Sequence, residues 1–141
     1  MKIIIQRVNK AKVDVDSKTV GQIGKGLFIL IGVGRDDVES DENSLRLARK
    51  VLRARIWDEL IPENDGEGEK KAPRSWCSNV MQNNYGVLVV SQFTLFGKMK
   101  GNKPDFHSAM EPKLAEEKYN HFVEILKKEY DPEMIQTGAF G

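Results

Sequence analysis

The sequence predicts an α+β domain in which two main helices pack on the outside of a mostly antiparallel, barrel-like, two-sheet β structure. Three observations carry this. The first part of the chain is rich in β-branched residues, Gly26 to Gly34 is an apolar run bounded by glycines, and two later stretches place apolar residues at helical spacing behind helix-start residues. At 141 residues the chain has room for one domain, 1–141, burying roughly two thirds of the surface it exposes when unfolded.

Taken in order, Lys2 to Val8 reads as a strand, and Val13, Val15, Val20 and Ile23 continue as a hairpin across the turn-like Asp16-Ser17-Lys18. Gly26 to Gly34 reads as a strand buried on both faces, the centre of the core. Ser40 caps a helix with Leu45, Ala48, Val51 and Leu52 on its packed face and Asp41 and Glu42 in its first turn, where the helix dipole favours negative charge. Arg53 to Trp57 is expected to be a short strand, and Ile61 to Ser75, rich in Pro, Gly, Glu and Lys, a mobile loop. Tyr85 to Leu95 returns to strand character, and Lys98 to Phe106 reads as a loop. Pro112 then opens a helix whose stripe of Ala115, Tyr119, Phe122, Val123 and Leu126 is core packing and which stops near Asp131-Pro132.

Composition excludes several function classes. With 40% hydrophobic and 30% charged residues and a formal charge of +1, the profile is that of an ordinary globular protein, and overall charge selects no partner. The longest apolar run is far short of the ~20 residues a membrane span needs, and the N-terminus lacks a signal-peptide pattern, so a cytoplasmic location is the default. One cysteine, Cys77, and two histidines, His107 and His121, make neither a disulfide framework nor a zinc site. Cys77 is read as inert, His121 as a surface helix residue, and His107 as a loop residue near enough to the motif below to touch a ligand. A metal site would need Asp36, Asp37 and Glu39 to converge on an ion, whereas they read as a solvated turn before a helix; no metal and no cofactor is expected.

Standard catalytic motifs are missing: the sequence has no phosphate-binding loop, nucleophile elbow, HExxH or CxxC. Gly32 and Gly34 read as backbone permissiveness, since no dinucleotide-binding helix follows. What remains is a polar patch, Ser91-Gln92-Phe93-Thr94, at the end of an apolar strand, followed by Lys98, Lys100 and Lys103. Hydroxyls, an amide and main-chain N–H groups at a strand end can hold a carbonyl or a developing oxyanion. Three lysines beside them suit a phosphate backbone, although such a run is more often a solvated loop.

The stretch Leu88 to Gly97, containing Ser91-Gln92-Phe93-Thr94-Leu95, and the following Lys100-Gly101-Asn102-Lys103-Pro104-Asp105-Phe106 closely resemble the signature segments of D-aminoacyl-tRNA deacylases. Gln6-Arg7-Val8, Gly21 to Gly34, Lys50 to Trp57 and Thr137-Gly138-Ala139-Phe140-Gly141 extend the resemblance in family order over most of the chain. The segment from Ile61 to Asn84 is longer and more charged than the bacterial type. The family's glycine–cis-proline motif, expected shortly after Gly141, is the segment this single domain would lack.

The resemblance implies hydrolysis of D-aminoacyl-tRNA, and of glycyl-tRNA, to free amino acid and tRNA, as chiral proofreading by a homodimer with its sites at the subunit interface. The alternative is a non-catalytic nucleic-acid-binding homologue on the same fold. Ser91 and Gln92 would shape the pocket, while Phe93 and Thr94 would supply N–H groups to the oxyanion. Phe140 would stack near the terminal adenine of the tRNA 3′ end, Arg7 would support the glycine–proline loop, and Lys98, Lys100 and Lys103 would meet acceptor-stem phosphates or the dimer partner.

Overall fold

The computed structural model describes residues 1–38, 40–62, 68 and 71–141. The β-branched start of the chain forms β1 (Lys2–Val8), β2 (Ala11–Val15) and β3 (Lys18–Ile23), and the apolar run forms β4 (Gly26–Gly32). Asp16 and Ser17, with φ of 49° and 65°, close the β2–β3 hairpin; two consecutive left-handed residues give a turn whose twist matches that of the strands. Helix α1 (Asp41–Leu52) follows, then β5 (Gly86–Ser91), the short β6 (Lys98–Lys100) and β7 (Lys103–Asp105), helix α2 (Pro112–Glu129) and β8 (Ile135–Thr137).

The main sheet has the order β1-β4-β5-β8. β1 is antiparallel to β4, whereas β4–β5 and β5–β8 are parallel. The expected antiparallel character therefore holds for β1–β4 and the hairpins but not for the sheet centre. There the chain leaves the end of β4, returns through α1 and re-enters alongside, as a parallel pair requires. The described strands form this sheet and two two-stranded ribbons, β2–β3 and β6–β7, with no closed barrel among them. The β2–β3 ribbon lies over the main sheet, with β3 against β5 and β8.

Alternation along the strands sets the core. Leu27, Ile29 and Ile31 of β4 and Val87 and Val89 of β5 meet Ala48, Val51 and Leu52 of α1 and Tyr119, Phe122, Val123 and Leu126 of α2. Both helices thus cover one face of the sheet. The α1 cap is as the sequence predicts, with the Asn43 N–H donating to Ser40 Oγ at 3.3 Å, but Ser44 is buried beside Ala48 while Leu45 is only half-buried. Pro112 opens α2 behind Glu111, whose carboxylate accepts from the Lys113 and Leu114 N–H groups.

Three expectations are corrected. Arg53 to Trp57 is not a strand: Trp57 makes only an isolated bridge to Ser78, and the Arg53 N–H is still held by the α1 carbonyls of Arg49 and Val51. Strand β5 ends at Ser91, and Phe93–Phe96 is a 3-10 turn. Lys98 to Phe106 contains the β6–β7 hairpin, closed at Gly101 with φ +62°. Strand β8 went unanticipated. The loop expected over Ile61 to Ser75 falls partly outside the described residues.

Candidate active site

β5 is wholly buried through Val87, Leu88 and Val89 and emerges at the sheet edge as half-buried Ser91 and Gln92. Parallel pairing continues as far as Ile31↔Ser91, and the Gln92 N–H donates to the Ile31 carbonyl at 2.7 Å. The chain then tightens: the Leu95 N–H reaches the Gln92 carbonyl at 3.3 Å and the Gly97 N–H the Thr94 carbonyl at 2.9 Å. In such a turn the first N–H groups, here those of Phe93 and Thr94, have no acceptor within the turn itself. Both residues are exposed. The Gln92 amide donates to Thr94 Oγ1, tying the two side chains together.

The two glycines after the β4 core make room for this turn. A Cβ on Gly32 would lie 2.8 Å from Leu95 Cβ and 3.0 Å from the Gln92 carbonyl oxygen, and one on Gly34 would lie 2.5 Å from the Phe96 ring. Their role is close approach, which refines the permissive reading made from sequence. Lys2 fastens the turn from β1, donating to the Leu95 carbonyl at 3.1 Å and lying 4.5 Å from the centre of the Phe96 ring. Asp37 accepts from the Gly34 N–H at 2.6 Å and pairs with the Met1 ammonium at 2.5 Å. It is thus engaged in fixing the end of β4; Glu39, its suggested companion, lies outside the described residues.

The remaining sequence candidates are distributed unevenly. Phe140 follows β8, which is parallel to β5 with Thr137 opposite Val89, so the chain runs on toward the edge that carries Ser91. Its ring is half-buried and packs on Tyr119 at 5.8 Å. Lys98, Lys100 and Lys103 are exposed on the β6–β7 hairpin next to the turn, with Lys100 and Lys103 opposite one another. Lys100 is paired with Asp105 at 2.6 Å. That ammonium, then the main-chain N–H and ring of His107, hold the Asp105 carboxyl far below the usual carboxylate range. Arg7 pairs with Leu27 in the β1–β4 register, toward the opposite end of the sheet from Ser91, and donates to the Ile56 carbonyl at 2.7 Å. Within one chain it is not brought to the turn.

Cys77 makes a local contact to the Ser75 carbonyl, and His121 pairs with Asp41 at 2.9 Å on the helix surface. Sequence reasoning missed the pairing of Phe93 with Phe106, edge-to-face at 5.1 Å; Phe93 is 56% exposed and nearby Met99 66%. Two aromatics thirteen positions apart carry no periodic signal. Only the intervening turn and hairpin bring them together.

A family model described as D-Tyr-tRNA(Tyr) deacylase matches residues 4–141. A Dictyostelium discoideum D-aminoacyl-tRNA deacylase is 43% identical over 141 residues, covering all of this chain and 85% of the relative. D-aminoacyl-tRNA deacylase 1 of Mus musculus is 40% identical over the same length, and the chain spans 61% of it. Among solved structures, one described as a c-Myc DNA unwinding element binding protein superposes with a TM-score of 0.82 at 39% identity, over all of this chain and 86% of that one. A probable eukaryotic D-amino acid tRNA deacylase, at 18% identity and TM-score 0.74 over 99% and 88% of the two chains, shares the fold.

Proposed function

The chain belongs to the D-Tyr-tRNA(Tyr) deacylase family, and from that membership we propose how its residues hydrolyse the ester between a D-amino acid and the 3′-terminal ribose of tRNA. The observation that carries the reading is the passage from buried β5 to an exposed turn at Phe93 and Thr94, seated on Gly32 and Gly34. Main-chain donors on a rigid support are suited to a developing oxyanion, because they need no reorganisation as charge appears.

In this mechanism Ser91 and Gln92 shape the pocket around the aminoacyl group, and the ester carbonyl oxygen sits at the Phe93 and Thr94 N–H groups. Water adds to the carbonyl carbon, and the electron pair moves onto that oxygen. The adjacent 2′-hydroxyl of the substrate orients the water and relays its proton. Collapse of the intermediate breaks the bond to the ribose oxygen, which takes the proton, leaving the D-amino acid and free tRNA. Thr94 is the weaker candidate for nucleophile: its hydroxyl accepts from the Gln92 amide, and a threonine hydroxyl needs a base to activate it.

Selectivity then rests on steric rejection of L side chains, so that D-residues and glycine are both accepted. Phe140 holds the terminal adenine by stacking, which tolerates any base. Lys98 and Lys103 meet acceptor-stem phosphates more freely than Lys100, which Asp105 already engages. The acting species is a homodimer in which Arg7 supports the glycine–proline loop that reaches the partner's site. The β2–β3 ribbon over the main sheet is the start of a barrel-like wall, residues 1–141 act as one domain, and the protein works in the cytoplasm without a cofactor.

Matched D- and L-tyrosyl-tRNA test this with the full-length protein. Release of D-tyrosine with the L-ester spared is expected; release of neither, with tRNA still bound, overturns catalysis and leaves a nucleic-acid-binding homologue.

A further inference from the structure

Between Glu42 and Asp58 the chain carries Arg46, Arg49, Lys50, Arg53 and Arg55 and not one carboxylate, although its overall charge is only +1. Four of these cations fall on α1 or at its end with spacings of three, four and seven, which place them on one helix face. With Glu42, Asn43 and Leu45 they line a shallow groove of about 540 Å³. Arg49 is held by Glu129 of α2 at 2.9 Å, and that carboxylate also feels Arg53. Among the described residues Arg46 reaches the neutral Asn43 Oδ1, at 3.4 Å. Among the described residues the groove thus holds four cations against Glu42 inside it and Glu129 at its side.

Its position follows from the topology. Asp37, four residues before α1, is bonded to Gly34, which is in contact range of Phe96, so α1 starts at the sheet edge that carries the Phe93–Phe96 turn. A twelve-residue helix then runs back along the sheet for about 18 Å. Arg46 and Arg53 are about 10 Å apart along it. A nucleic acid whose 3′ end enters at Ser91–Thr94 has a polyanionic stem that must leave along some face of the protein, and the α1 face offers it Arg46, Arg49, Lys50 and Arg53 in one groove.

We infer that the α1 groove of Arg46, Lys50 and Arg53 is a second contact surface for the substrate, binding the phosphate backbone of the tRNA stem while the 3′ end occupies the Ser91–Thr94 edge. The inference rests on the deacylase reading for its choice of nucleic acid. Such contacts position without reading sequence, and each neutralised phosphate contributes about 0.7–0.9 to the slope of log affinity against log salt.

The triple variant Arg46→Gln, Lys50→Gln, Arg53→Gln keeps good helix formers at exposed positions and leaves the Arg49–Glu129 pair intact. Binding of uncharged tRNA between 50 and 200 mM salt is measured for it alongside hydrolysis of the D-tyrosyl ester of adenosine, which has no stem. The expected result is a salt slope shallower by about 2 to 3 and tRNA affinity at least tenfold weaker at low salt, with the adenosine ester hydrolysed at the native rate. The charge-preserving Arg46→Lys, Arg53→Lys variant is expected to keep the native slope. Equal slopes and affinities for the native protein and the triple variant overturn the inference. If the native protein cleaves neither the adenosine ester nor D-tyrosyl-tRNA, the deacylase reading falls, while the change in tRNA slope still decides the groove.

Discussion

At the scale of the residue, Gly32 lets the Phe93–Phe96 turn lie close against β4. A single methyl there would come 2.8 Å from Leu95 Cβ and 3.0 Å from the Gln92 carbonyl oxygen, so the turn must move away from β4. Gly32→Ala is expected to lower kcat/KM for D-tyrosyl-tRNA at least tenfold while costing about 1–3 kcal/mol of stability; measuring both by kinetics and by urea unfolding separates displacement of the turn from loss of the fold. Thr94 discriminates between mechanisms. If its main-chain N–H acts and its hydroxyl does not, Thr94→Ala keeps activity within about tenfold of native, whereas a nucleophile's removal would cost several orders of magnitude. Single-turnover hydrolysis settles which. Ser91, Gln92, Phe93 and Thr94 could be proposed as a site from sequence because four residues at the end of an apolar run match a specific family pattern. The purpose of Gly32 was not: glycine spacing alone cannot say that Leu95 will settle over it.

At the scale of the element, Tyr119 shows how α2 holds β5 in place. Its hydroxyl donates to the Val89 carbonyl at 2.8 Å, two residues before Ser91, and burial pushes its pKa up to about 12. An unfolded tyrosine titrates near 10. The stability this group contributes is therefore complete below pH ~10 and is lost as pH rises from there through about 12. Tyr119→Phe is expected to cost about 1 kcal/mol at neutral pH and to flatten the fall in stability between pH 10 and 12, read from denaturation midpoints across that range. The amphipathic stripe of α2 and the Ser40 cap of α1 could be read directly, since helical periodicity and capping are local. The 3-10 turn at Phe93–Phe96 could not: Phe93-Thr94-Leu95-Phe96 has every mark of a strand, yet the chain turns where the pairing of β5 with β4 ends, at Ser91. Likewise β8, three residues long, is too short to show a period and exists because Val87–Val89 offer it a parallel edge.

At the scale of the whole molecule, the α+β class and the packing of two helices against the strands were accessible from composition and period, but the placing of both helices on one face and the mixed direction of the sheet were not, because they depend on where the chain returns after α1. That return has a consequence in time. The pairing of β4 with β5 joins Leu27 to Val87 and Ile31 to Ser91, partners some 60 positions apart in the chain, and long-range parallel pairing must bear its loop-closure entropy before it gains any contact. No local fragment can prebuild the edge on which Ser91–Thr94 stand. Refolding is therefore expected in the millisecond-to-second range rather than in microseconds, with the fluorescence of Trp57, packed 5.4 Å from Tyr85 just before β5, recovering at the same rate as binding of a D-tyrosyl-adenosine ester analogue. A binding phase that preceded the Trp57 signal would mean the pocket assembles independently. On a ribosome-bound nascent chain the same topology keeps the Ser91–Thr94 edge unformed until β5 has emerged to pair with β4, so a half-made copy carries no part of the proposed pocket.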